Sequence, residues 1–164
     1  MGTHQGLLVL ACVTEQLGFA LPHHGFLKRC RTGSNQKLGV GARETRAQAL
    51  HHPYHAQIAR QLQRLVAAGV SPVVVSVHSF TPVMNGQPRP WEVGVLWSAD
   101  PATARVFMDS LAAAGYVVGD NEPYSGHAHQ NYTLSRHARG PGLPHVLLEI
   151  RQDLIDQAEG VARI

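Results

Sequence analysis

The stretch Val73-Val74-Val75-Ser76-Val77-His78-Ser79-Phe80-Thr81-Pro82 decides how the chain must be built. Its consecutive β-branched residues suit a strand covered on both faces, as in a parallel or mixed sheet with helices above and below. The apolar run begins at Pro72 and gives way to a histidine, a hydroxyl pair and a proline. Pro72 to Val77 therefore reads as the strand and His78 as the residue at its carboxyl end. Open α/β sheets gather their ligand-binding groups at the carboxyl ends of strands, which makes His78 the first candidate for chemistry.

The pattern extends in both directions. Upstream, Ile58, Leu62, Leu65 and Val66 recur at helical spacing from Tyr54 onward, and Gly69 stands where a left-handed cap would close the helix. Pro53 interrupts that pattern, so Arg43 to His51 is either a separate helical stretch or one joined to it through a kink. Downstream, Thr81 to Pro90 contains Pro82, Gly86, Pro88 and Pro90 and reads as an ordered loop, with Glu92 to Trp97 as a second strand. Asp100-Pro101 supplies an N-cap and a first-turn proline for a helix with Val106, Phe107 and Leu111 on one face, closed at Gly115. Tyr116 to Val118 reads as a short strand, Gly119 to Asn131 as a polar loop and Tyr132 to Ala138 as a short helix stopped by Gly140-Pro141-Gly142. Pro144 to Ile150 is a further strand, and Asp153 to Ala162 a last helix. Strands alternating with helices predict an α/β fold: a three-layer αβα arrangement around a central mixed sheet.

Composition narrows the classes of function. The chain of 164 residues fits one domain, and its 44% hydrophobic content with 15% charged residues is too apolar for a disordered chain. The net charge of +3 would favour polyanions only if the bases were clustered. The excess sits early, in Lys28, Arg29, Arg31, Lys37 and Arg43, and from Glu44 onward acids and bases alternate, which predicts no nucleic-acid partner. Cys12 and Cys30 are too few for a disulfide framework and lack zinc-knuckle spacing. Gly6 to Val13 is apolar but too short to span a bilayer and lacks a basic flank, so neither a signal peptide nor a membrane anchor is expected and the cytoplasm is the default compartment.

Among the 11 histidines most have ordinary readings. His23 and His24 are adjacent and diverge in extended structure, and Pro53 lies between His51 and His55 and disturbs their i, i+4 alignment. His55 reads as a packing or hydrogen-bonding residue, and His127, His129 and His137 as loop and surface residues. Glu149 is more pointed, because a carboxylate inside the apolar strand His145 to Ile150 is costly unless it meets a cleft, a cation or a polarised water. An ion pair with Arg151, two residues along on the same strand face, accounts for it equally well. Trp91 and Trp97 read as core or cleft wall. Arg89, Asn121 and Tyr124 read either as a solvated charge, a turn former and a packed aromatic, or as donors to an anionic ligand.

Five strings, in one order and spacing across roughly residues 43 to 160, resemble the N-formylglutamate amidohydrolase family. They are Arg43-Glu44-Thr45-Arg46 leading to Pro53-Tyr54-His55; Val77-His78-Ser79-Phe80-Thr81-Pro82; Arg89-Pro90 before Val93-Gly94-Val95-Leu96; Asp120-Asn121-Glu122-Pro123-Tyr124-Ser125-Gly126; and Leu143-Pro144-His145 through Glu149-Ile150-Arg151-Gln152-Asp153-Leu154. The resemblance implies a fold similar to the zinc carboxypeptidases, of the phosphorylase/hydrolase-like type. It also implies hydrolysis of N-formyl-L-glutamate to formate and L-glutamate, the last step of one histidine degradation route, with a single catalytic Zn2+. His78 matches the third metal ligand of that group and Glu149 its general base. The two carboxylates of such a small N-acyl amino acid call for fixed donors, for which Arg89, Asn121 and Tyr124 are the candidates.

The pattern is N-terminally incomplete. The family's first metal-binding loop should precede Arg43, and residues 1–42 read as a divergent or poorly ordered leader, with 43–164 as the C-terminal part of the domain. The expectation is weak zinc binding and little hydrolysis by the isolated chain. The alternative is a non-catalytic remnant or binding module of the same fold.

Overall fold

A central five-stranded sheet is formed, in spatial order, by β1 (Gln5–Ala11), β2 (Ser71–Phe80), β7 (His145–Arg151), β5 (Val93–Leu96) and β6 (Val118–Asp120). The computed structural model describes residues 38–127 and 131–164, together with the backbone of Gln5–Ala11. The chain forms two compact units, one of Met1–Ala11 with Gly69–Ile164 and one of Cys12–Ala68. The sheet belongs to the first. β1, β2 and β7 run parallel, β5 is antiparallel to β7, and β6 is parallel to β5, so the sheet is mixed.

β2 outlasts its apolar run. It continues through Phe80 because His78, Ser79 and Phe80 keep pairing with Glu149, Ile150 and Arg151 of β7, and because Phe80 is fully buried. His78 thus lies inside the strand, two residues before its end, and not at its terminus. The loop that follows contains a small antiparallel hairpin, β3 (Val83–Met84) with β4 (Gln87–Pro88). Asn85 and Gly86 make its turn, with φ of 51° and 77°. That is the Asn-Gly pair that two-residue hairpins favour, and Pro88 is tolerated because this ribbon has no central strand.

Helices flank both faces. Against one face lies α3 (Pro101–Ala113), where Ala104 and Met108 join Val75, Val95 and Val146 in the core, with Val73, Val77, Phe107, Leu111, Val118 and Leu148 packed around them. Each fully buried aliphatic side chain of this set contributes about 1.5–3 kcal/mol. The buried stripe of α3 is Ala104, Phe107, Met108 and Leu111; Val106 is one position off it and 64% exposed. Against the opposite face lies α4 (Tyr132–Leu134), which continues through a π-helical turn over Ser135–Arg139 and packs on β2 and β7. His137 is buried in that turn and is no surface residue. Burial and the neighbouring charge of Arg136 hold its imidazole below the usual histidine value. After β7, Gln152–Leu154 forms a 3-10 turn and only Ala158–Arg163 (α5) is helical. Asp153 does not start a helix because its carboxylate accepts a 2.7 Å bond from Arg151 Nε. The short strand β6 sits two residues later than the apolar pattern suggests, since the carbonyl of Val117 is taken by the N–H groups of Glu92 and Val93.

In the second unit, α1 (Val40–Arg46) passes through a π-helical turn over Ala47–His51 directly into α2 (His52–Ala67), and Gly69 follows with φ of 75°. Pro53 has no N–H and its ring crowds the preceding turn, so the wider π spacing absorbs it and the two stretches join. His51 and His55 are consequently aligned after all, with ring centroids 4.2 Å apart. Among the described residues no helix is long and apolar enough to cross a membrane.

Asp100 ties the start of α3 to the start of β7. Its Oδ1 accepts from the Thr103 N–H at 3.0 Å and its Oδ2 from the His145 N–H at 2.9 Å. Burial acts to raise its carboxyl pKa, and the hydrogen bonds from Thr103 and His145 outweigh it, leaving the group below its usual value. A depressed carboxylate contributes stability above its unfolded pKa and loses it as pH falls through the folded one. Asp100→Ala should therefore lower stability at pH 7 by about 1–2 kcal/mol, with a deficit that shrinks in urea titrations as the pH falls below 3.8. The depressed histidine has its own window. His137 favours the neutral ring in the fold, so its contribution is full above pH 6.5 and drains as pH drops toward the lower folded value. Urea midpoints for His137→Gln should fall less steeply below pH 6.5 than those of the parent chain.

Candidate active site

Strand periodicity and register place His78 and Glu149 side by side. They are paired residues of adjacent parallel strands, so both side chains project to the same face, with Ser76 and Leu147 two pairs earlier on that face. His78 Nδ1 lies 3.9 Å from Glu149 Oε1, and both side chains are about nine-tenths buried. The other ring nitrogen is anchored. His78 Nε2 is 3.1 Å from Ser76 Oγ and 3.2 Å from Asn131 Nδ2.

The far side of Glu149 is occupied by backbone. Its partner across β5 is Gly94, and a Cβ there would collide with the carbonyl of Glu122. The glycine lets the polar loop lie directly on the sheet beside the carboxylate. Gly126 does the same at the loop's other end, where a Cβ would collide with the backbone of Trp97. Asn121 closes the loop from within: its φ is 54°, and its Oδ1 accepts from the Trp97 and Gly126 N–H groups at 3.0 and 2.9 Å. The Asn121 side-chain oxygen is thus committed to holding the loop.

Tyr124 and Arg89 meet across that loop. Arg89 Nη1 donates to Tyr124 Oη at 2.9 Å and Nη2 to Thr81 Oγ1 at 3.1 Å, while the guanidinium lies 5.5 Å from the Phe80 ring centroid and 5.2 Å from that of Tyr124. Arg89 is 8% exposed, so it is a buried, oriented cation and not a solvated loop charge. Arg151 is differently engaged. Its Nε binds Asp153, holding that carboxyl below its usual value, and its Nη1 donates to the carbonyls of Pro90 and Trp91 at 3.0 and 3.2 Å. Arg151 thus clasps the turn and the strand lead-in, and His78 is the described neighbour that the register sets beside Glu149.

The sequence reading missed Ser76 and Asn131. Ser76 had a signal, as a hydroxyl inside an apolar strand two residues before His78 and so on the same face. Asn131 had none beyond its place before a short helix, because its contact with Ser76 and His78 spans more than 50 positions. Trp97 takes part in the core, and its Nε1 donates to Asp120 at 2.6 Å. His127 is exposed, edge-on to the Trp97 ring. Cys12, His23, His24, Cys30 and His129 lie outside the described residues.

A mixed sheet flanked by helices, with a buried imidazole and carboxylate paired near the ends of two central parallel strands, defines an α/β protein with a candidate site on one face of its sheet. The family model for N-formylglutamate amidohydrolase matches residues 21–156, and the chain belongs to that family. The match begins upstream of Arg43, inside the segment read as leader. A crystal structure of a gene product from Agrobacterium tumefaciens is similar, with 36% identity, a TM-score of 0.72, and coverage of 78% of this chain and 51% of that one. The crystal structure of N-formylglutamate amidohydrolase from Ralstonia eutropha shares the fold at 19% identity and a TM-score of 0.58, covering 77% of this chain and 49% of that one. The chain spans about half the length of these solved structures. No curated protein matches it.

The tight seat of the loop is directly testable. Gly94→Ala should push the Glu122 carbonyl away and cost about 1–3 kcal/mol through overpacking. Urea denaturation followed by tyrosine and tryptophan fluorescence checks this, and an unchanged midpoint would refute the close contact.

Proposed function

We propose that the chain performs the chemistry of its family, hydrolysis of N-formyl-L-glutamate to formate and L-glutamate, with Glu149 as general base. The observation that carries this reading is the in-register pairing of His78 with Glu149, buried on one face and 3.9 Å apart. A carboxylate in such a site is placed to take a proton from water as its oxygen attacks the formyl carbon, and to return it to the departing amine. Arg89 and Tyr124 supply donors fixed by their mutual bond and are the candidates for a substrate carboxylate. Asn121 then acts on the substrate only through the loop that it pins.

Zinc enters as a proposal on one donor. His78 is the residue that would hold it, through the nitrogen facing Glu149. A bound zinc supplies positive charge that polarises a carbonyl and acidifies water. A catalytic zinc needs three protein ligands, and among the described residues no three His, Cys, Asp or Glu side chains cluster. The described residues therefore do not complete the site, and the proton transfers above are assigned to Glu149 alone.

That same observation favours a second reading, a non-catalytic binding module of the same fold. Formate release by the purified chain from N-formyl-L-glutamate, with and without added zinc, separates the two. The enzyme reading expects turnover that Glu149→Gln reduces at least 100-fold with zinc content unchanged. A folded chain with no formate release at saturating zinc would establish the binding module instead.

A further inference from the structure

Leu147, two residues before Glu149 and on the same sheet face, lines a recess that neither His78 nor Glu149 reaches. The cavity measures about 200 Å³ and lies where the end of β5, α4 and the first residues of β7 meet. That is the liquid volume of about six or seven water molecules. Leu96, Leu134 and Leu147, all buried, give it apolar walls together with Trp97, whose indole N–H is already spent on Asp120. Its polar side chains include Ser98, Arg139 and His145, and no Asp or Glu among the described residues lines it. Arg139 brings the fixed positive charge. Its Nη2 donates to Ser98 Oγ at 2.9 Å, the one bond of the guanidinium among the described residues, so the other N–H groups of the fork are left for a ligand or water. Ser98 accepts that bond and keeps its own hydrogen to donate. The adjacent acid, Asp100, turns both oxygens to the N–H groups of Thr103 and His145.

We propose that this cavity binds a small monocarboxylate with a compact apolar body. The carboxylate oxygens accept from Arg139 and Ser98, since a guanidinium fork matches a carboxylate with charge-assisted bonds. The body lies against Leu96, Trp97, Leu134 and Leu147, where it removes apolar surface from water. Arg139 is the single fixed cation of the lining, so a dicarboxylate would leave its second charge against leucine side chains. The ligand therefore differs in class from N-formyl-L-glutamate, and its site stands beside the candidate pair. Asn131 borders both, with Oδ1 on the Leu134 N–H at 2.9 Å and Nδ2 3.2 Å from Ser76 Oγ, so its amide is committed to the fold and not to the ligand.

The test is a titration of the whole 15N-labelled chain with benzoate, followed by amide proton–nitrogen spectra. The resonances of Ser98, Ala99 and Ser135, which line the cavity, should shift and saturate. Benzamide, which keeps the ring and loses the charge, should bind about tenfold or more weakly, and so should benzoate to Arg139→Gln. Acetate, which keeps the charge and loses the body, should also bind more weakly. Arg139 is exposed, so its replacement leaves the core untouched; should that chain nevertheless fail to fold, the three ligands on the parent chain decide alone. No saturable shift, equal affinity for benzamide, undiminished binding to a folded Arg139→Gln chain, or shifts centred on Arg89 and Tyr124 instead would each overturn the proposal. These titrations do not involve formate release, so a failure of the hydrolase reading would leave their outcome standing.

Discussion

The register between β2 and β7 is the constraint on which the rest of the site depends. Pairing His78 with Glu149 follows from matching Val75 with Val146 and Val77 with Leu148, all of which feed the core under α3. Side chains alternate along a strand, so a slip of one residue would drive the valines toward α4 and bury the histidine among aliphatic groups. The apolar residues of one face therefore hold the polar pair on the other. Neither imidazole nor carboxylate has to stabilise the arrangement that brings them together.

Around that pair the polar face is filled by backbone and by single-purpose side chains. Gly94 leaves space for the Glu122 carbonyl, and Asn121 binds both ends of its loop. Arg89 is sandwiched near two aromatic rings and bonded to Tyr124 and Thr81, and Arg151 is spent on carbonyls and Asp153. At the buried Arg89 these bonds satisfy a polar group that would otherwise cost stability. Together they make a bonded surround for the candidate carboxylate.

Much of the layout was legible in the primary structure because it is local. The N-cap Asp100, the closing Gly115 and the β-branched run of β2 are decided by neighbours a few residues away. Several errors fell where distant partners intervene. β2 lasts to Phe80 because β7 pairs with it, and Val106 faces outward because the sheet meets α3 one position aside. The miss at Asp153 is local, since Arg151, two residues away, holds its carboxylate. Pro53 does not separate the two helical stretches, because a π turn runs directly into the helix that contains it. The Asn85-Gly86 hairpin, like the hydroxyl of Ser76 in its apolar strand, is a local signal left unused.

By itself the sequence determined the α/β class and the family and singled out the two residues of the candidate pair, since periodicity, capping and motif spacing are properties of short stretches. Only the tertiary structure decided that Glu149 answers to His78 and not to Arg151, that Arg89 is buried against Tyr124, and that Asn131 reaches Ser76 and His78. Those contacts join residues 35 to 71 positions apart. They exist because strand register and helix packing bring the side chains together, and no local propensity encodes such a meeting.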